Sequence, residues 1–146
     1  MASPRQVLLS ATLDCLREIL QADGYRTDAG NDVTDEPAPA AAAEKPNPFL
    51  SAVWIRQERA TEPAVSRTHR LTTFRVVGQL PSDMDNAQER VDALTSDVER
   101  ALDARPQHWP AGFSSPVYVS AEPLAAQPEA GYVGVAITYT SNIPIK

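Results

Sequence analysis

The sequence predicts an α+β fold: two helices packed on a mostly antiparallel four- to five-stranded sheet, an α/β sandwich forming one domain over residues 1–146. Three observations carry this expectation. Two segments repeat apolar residues at three- and four-residue spacing. Two pairs of segments rich in strand formers follow, one pair before the second helical segment and one pair after it. No Gly-rich loop joins a strand to a helix, and neither an internal repeat nor a heptad run is present.

The first helix opens at Ser3-Pro4, which reads as an N-cap and first-turn proline, with Gln6 as the capping-box partner. Leu8, Ala11 or Thr12, Cys15 and Ile19 then recur at helical spacing, and Leu16 and Leu20 widen the apolar face. Gly24 is expected to end this helix near Asp23. A short strand is expected around Tyr25–Ala29. The Asp/Pro/Ala-rich stretch at 30–48 follows, where Pro37, Pro39, Pro46 and Pro48 block regular structure. Stretches of this length are either mobile loops or arms that order against a neighbour, and both readings stand.

Phe49–Ala60 and Ser66–Leu80 read as paired strands, with a turn at Thr61–Ala64 that contains Pro63. Ser82 and Asp85 then form a capping box. Met84, Ala87, Val91, Leu94, Val98 and Ala101/Leu102 mark the apolar face of a second helix that ends before Pro106. Arg105–Pro116 is an aromatic and proline loop, and Val117–Leu124 and Gly131–Ile143 are the last strands. In the final strand Val133, Val135, Ile137 and Tyr139 share one face, opposite Gly134, Ala136, Thr138 and Thr140. Side chains as small as these admit close approach by a helix of this chain or by another subunit.

Composition narrows the function. Thirteen basic and nineteen acidic residues give a net charge of −6, which argues against a general nucleic-acid binder. The single cysteine, Cys15, excludes an internal disulfide, suits a reducing compartment and is expected to be a buried thiol. No apolar run approaches the roughly 20 residues needed to cross a bilayer, and the first residues lack the pattern of a secretion signal. Synthesis in the host cytoplasm, with no membrane partner, is therefore expected.

Motifs for chemistry are scarce. His69 and His108 belong to no metal-ligand cluster, Asp28–Glu36 lacks the order of a calcium loop, and no GxSxG elbow is present. Carboxylates are plentiful, but no pair stands out for acid–base work. The expectation is no catalytic residue, no cofactor and no metal.

Two charge patterns do stand out. Asp85, Glu89, Asp92, Glu99 and Asp103, with Ser96 in step, form an acidic stripe on the second helix opposite its apolar side. It is either a solvated surface or a face turned to a basic partner or a polyanion passage. Arg56, Arg59, Arg67, Arg70 and Arg75, against Glu58 and Glu62, form a local basic excess on the strands. That segment is either a solvated sheet face or one half of a subunit contact. A chain carrying both halves is complementary to itself head to tail, and such contacts close into rings. Trp109 and Phe113 in the aromatic loop are further candidates for the subunit contact.

The capped first helix, the long Asp/Pro stretch, "AVWIRQERA" with "RLTTFRVVGQL", the helix "SDMDNAQERVDALTSDVERAL" and the closing "VYVSAEPL…GYVGVAITYTSNI" together resemble the tail terminator, or tail completion, proteins of tailed bacteriophages. The resemblance lies in element order, size and flavour over nearly the whole chain. It implies a virion protein without enzymatic activity, at the head-proximal end of the tail. Such a protein forms a ring, typically a hexamer, that caps the tail tube and stops its polymerisation. The ring offers a docking surface to the head-tail connector or neck protein, and DNA passes through its lumen without sequence-specific binding. Six copies at −6 each would give −36 on the ring (6 × −6), and a negative lumen would let DNA slide without adhesion. The long loop departs from the compact members of the family. Two other readings use the same residues: a head-completion or stopper protein on the portal side, and a monomeric binding or regulatory module.

Overall fold

The computed structural model describes residues 2–34, 49–64, 66–81, 86–103, 109–127 and 132–146. Helix α1 (Pro4–Leu16) starts as the sequence predicts. Ser3 is extended, its hydroxyl accepts the Gln6 N–H at 3.3 Å, and Pro4 occupies the first turn. The helix stops earlier than expected, at Leu16, with Arg17 as its C-cap. Glu18 and Ile19 then donate to the carbonyls of Cys15 and Leu16, the three-residue bonds that tighten and end a helix. Ile19 is fully buried although it lies past the helix, which is why the apolar spacing reads on through it. Gly24 does take a positive φ of 90°, but it closes a 3₁₀ turn at Gln21–Asp23 and not the helix itself.

The strand expected around Tyr25–Ala29 is not there. The N–H groups of Arg26 and Thr27 donate to the Asp97 carboxylate, so they pair with a side chain where a strand would pair with backbone. A second 3₁₀ turn follows at Ala29–Asn31. Within it, Gly30 donates to the Ile19 carbonyl at 2.9 Å, and a Cβ at Gly30 would lie 2.6 Å from the Arg17 carbonyl oxygen. Only glycine fits against that backbone. The short strand β1 comes later, at Val33–Thr34. The rest of the Asp/Pro/Ala-rich stretch, from residue 35 to 48, lies outside the described residues, as do the Ser82/Asp85 capping box and His108.

Strands β2 (Phe49–Arg59), β3 (His69–Pro81), β4 (Val117–Gln127) and β5 (Tyr132–Pro144) complete a five-stranded sheet in the order β1-β2-β3-β5-β4. Among the described residues only the two-residue β1–β2 pairing is parallel. The centre is a long β3–β5 ladder running in unbroken register from His69↔Pro144 to Pro81↔Tyr132. Near its open end His69 latches the loop before β4. Its Nε2 faces the Gly112 carbonyl at 2.9 Å, which can only accept, so Nε2 carries the proton and Nδ1 is left to accept from the Thr68 hydroxyl at 2.8 Å.

Helix α2 (Ala87–Asp103) follows β3 and packs beside α1 on one face of the sheet. The core lies between these layers. Phe74, Val76 and Leu80 of β3 and Val135, Ile137, Tyr139 and Ile143 of β5 meet Leu8, Leu13 and Leu16 of α1 and Val91, Leu94, Val98 and Leu102 of α2. Cys15 is fully buried among them. Phe74 and Tyr139 are direct cross-strand partners, and their rings stack with centroids 5.8 Å apart.

Two contacts set how α2 sits. Gly78 of β3 leaves room for Leu94, since a Cβ there would approach Leu94 Cδ2 to 2.6 Å and Leu50 Cδ2 to 3.1 Å. The second contact is Asp97, an acid placed on the apolar side of the helix and 2% exposed. Its Oδ1 accepts from Arg26 N at 3.0 Å, and its Oδ2 accepts from Thr27 N at 2.8 Å and Thr27 Oγ1 at 2.7 Å. The carboxylate caps a segment that has no sheet to pair with, and charge-assisted bonds of this kind are the strong ones.

Removing that carboxylate leaves two backbone donors without partners. Asp97→Ala is expected to lower unfolding stability by about 3 kcal/mol, whereas Asp92→Ala on the outer side stays within about 0.5 kcal/mol, both measured by urea unfolding. Gly78→Val is expected to cost about 2 kcal/mol through overpacking against Leu94. The double variant Gly78→Val/Leu94→Ala should recover part of that loss, which a double-mutant cycle reads directly.

Candidate assembly interface

The polar side of α2 is built as the spacing predicts. Glu89, Asp92, Ser96 and Asp103 are exposed and Glu99 is half-buried, all turned away from the core that holds Val91, Leu94 and Val98. Asp85 lies outside the described residues. Crowding shows in the titration of the stripe. Partial burial raises the Glu99 carboxyl above its ordinary range, and the charges of Asp103 and Asp92 raise it further. Burial raises Asp103 as well. Tyr139, directly beneath, is pushed far above the ordinary phenol range by burial, then by Asp103, Glu99 and Tyr118.

These couplings give the stripe a direction. Tyr118 of β4 meets Tyr139 edge-on, at 5.9 Å and 81°, so the Glu99/Asp103 end of the stripe lies over the β4 side of the sheet. On the other flank of α2 a cation is held by contacts within the chain. Arg100 lies 4.4 Å over the Tyr25 ring and donates to the Gly24 carbonyl at 2.8 Å.

The arginines behave differently from the sequence expectation of one basic surface, because the pleat divides them. Thr73 and Arg75 share the face of β3 opposite Phe74, and Arg56 is registered against Thr73, so Arg56 and Arg75 lie on the face without helices. Arg59 and Arg70 oppose each other on the helix-side face, and Arg67 is exposed in the turn before β3. Arg56 is ion-paired with Glu58, and Arg70 donates to the carbonyls of Ser66 and His69 at 3.2 Å each. Proximity along a strand does not place alternate residues together, and an irregularity between Trp54 and Arg56 shifts the register once more. The basic character is therefore distributed along the β2 side of the sheet. There, on the helix-side face, Arg5 of α1 lies 5.2 Å over Trp54 and donates to Gln57 at 2.9 Å.

The aromatic loop also departs from expectation. Trp109 is 8% exposed and belongs to the core, with Phe113 packed partly against it. Trp109 is thus committed to the interior, where a rigid indole contributes more by burial than it would at a polar rim.

Larger apolar surface lies along the two edge strands. Val117, Tyr118 and Val119, at the start of the outermost strand β4, are 62%, 44% and 54% exposed. At the opposite edge β1 covers only Leu50 and Ser51 of β2, so from Ala52 to Arg59 that strand has no outer partner among the described residues. Trp54 and Ile55 are 45% and 40% exposed there. The unbroken "VYV" at 117–119 was the available signal, since three apolar residues in a row do not fit a strand with one wet face. The face of β5 that carries Ala136, Thr138 and Thr140 is packed by neither helix, both of which lie on the other side of the sheet.

The crowding of the stripe has a measurable sign. A carboxyl whose folded pKa is raised makes the native state bind more protons than the unfolded one, so this strain is greatest above the raised pKa and disappears as pH falls toward 4.5 and below. Glu99→Gln is expected to raise stability at pH 7 by about 0.3 kcal/mol. In urea unfolding the gain should vanish by about pH 4 and shrink in high salt.

No protein-family model matches the sequence, and no curated protein matches it. Among solved structures, the chain is similar to one in the virion of a native gene transfer agent (GTA) particle, with a TM-score of 0.64 and 99% of each chain covered. At 13% identity the likeness is one of fold, and it extends over the whole arrangement of helices and sheet.

Proposed function

We propose that this chain is a structural protein of a phage-like virion, and specifically the tail terminator. In this reading copies of it form a ring on the head-proximal end of the tail tube, stop tube growth and present a surface to the head-tail connector, with DNA passing through the lumen. The protein acts by assembly and performs no catalysis.

The observation that supports this most is the end-to-end fold likeness to a chain of the gene transfer agent virion. The surfaces add to it. The acidic stripe of α2 is turned outward, with Glu99 raised by burial and then by its acidic neighbours Asp103 and Asp92, and lies on a chain of net charge −6. A lumen of that sign would let DNA slide, because non-specific adhesion comes from lysine and arginine contacts with phosphate. Exposed apolar strand edges supply what a subunit contact needs.

Electron microscopy of the purified chain mixed with tail tubes tests the reading. A cap at one end of the tube is expected. Binding to portal-adaptor protein and not to tubes would assign the chain to the head side, and a monomer in every mixture would end both ring readings. The variant Glu89→Lys/Asp92→Lys/Asp103→Lys is expected to fold normally yet to lose capping or DNA release. Normal capping and infection by it would reduce the stripe to a solvated surface.

A further inference from the structure

The geometry points to a specific subunit contact: the β4 edge of one copy adds to the β2 edge of the next, so that the sheets run on from subunit to subunit. This rests on the reading of the chain as a ring subunit and says how the ring closes.

The first support is that both edges are open among the described residues. Among the described residues β4 has no outer neighbour, and β2 has none beyond Ser51. Unpaired N–H and C=O groups on a long apolar edge are a template for another strand. Each edge carries exposed apolar side chains, Tyr118 and Val119 on β4 and Trp54 and Ile55 on β2.

Direction is the second support. Three antiparallel steps separate the edges, β2 to β3, β3 to β5 and β5 to β4, so β2 and β4 run opposite ways. A neighbour that keeps the same strand direction and the same helix-bearing face therefore meets β4 with an antiparallel β2. The join continues the ladder already present inside each subunit. Such a contact is heterologous and repeats around an axis. Both strands also carry a register shift, at Trp54/Arg56 and at Tyr118/Ser120, which adds the bend that a curved, closing sheet requires.

Charge selects this pairing over the alternatives. The β4 side carries Glu99 and Asp103 over the helix-bearing face and Glu122, registered against Ala136, on the opposite face. The β2 side carries Arg56, Arg59 and Arg5 against Glu58, which pairs with Arg56, and Glu62 in the turn that follows. Joining β4 to β4 about a two-fold axis would bring two acidic stripes together, and joining β2 to β2 would do the same for arginines. Only β4 against β2 places opposite signs side by side.

The test is covalent trapping of the full chain on tail tubes with a short bismaleimide, using Ile55→Cys/Val119→Cys and each single variant. Cys15 is buried, and the wild type serves as its control. The double variant is expected to give a ladder of covalent oligomers ending at the closed ring, and the single variants none. Val117→Lys/Val119→Lys is expected to keep the wild-type circular dichroism and melting temperature, since both sites are exposed, but to lose the caps. Caps without a ladder, or covalent dimers from Val119→Cys alone, would overturn this contact and leave the terminator reading standing. A ladder without caps would overturn the terminator reading and keep the contact. Neither a ladder nor caps would end both.

Discussion

The roll of α2 about its own axis is the constraint from which the surface chemistry follows. An amphipathic helix can rotate several degrees on a sheet at little cost unless something directional holds it. Here Asp97 holds it from one side, through three hydrogen bonds to Arg26 and Thr27, while Leu94 settles over the bare backbone of Gly78. With these two turned inward, helical geometry leaves Asp92, Glu99 and Asp103 outside. One aspartate is thus the reason the others form a stripe. The buried carboxylate tolerates its position because every bond it accepts comes from a donor that would otherwise be unpaired, in a segment with no sheet partner.

The sheet sorts the remaining surface. Helices on one face and a two-residue β1 at one edge leave most of β2, all of the outer side of β4 and one whole face without cover from the described helices. A monomeric enzyme of this size usually blunts such edges with charge, bulges or a covering segment. Bulges are present here, yet the start of β4 presents Val117, Tyr118 and Val119 to solvent. The proposed assembly role rests on these two apolar edges together with the end-to-end fold likeness to a chain of the gene transfer agent virion.

Much of this was legible in the sequence. The cap at Ser3, the apolar rows of both helices, the alternation along β5 and the acidic row of α2 depend on period and local chemistry, which a sequence displays. What it hid depends on distance. The arginines between Arg56 and Arg75 look like one patch until the pleat and the register shift after Trp54 part them. Trp109 looks available until the core is assembled around it. The segment after Gly24 reads as a strand because Tyr25 and Thr27 are strand formers, but its donors are taken by an acid seventy positions away. Asp97 itself left a trace, three residues after Leu94 and four before Ala101, an acid in an apolar row.

The β3–β5 ladder has a consequence for how the chain matures. It pairs Pro81 with Tyr132 and His69 with Pro144, sequence separations of 51 to 75 residues, so it forms late compared with the local β2–β3 hairpin. β4 joins the sheet only by way of β5. A nascent or half-folded molecule therefore has no finished outer strand beside α2 until the last strand has locked in. For a subunit that joins its neighbours as proposed above, oligomer growth would then be conditional on complete folding, a safeguard against faulty copies that needs no chaperone to enforce it.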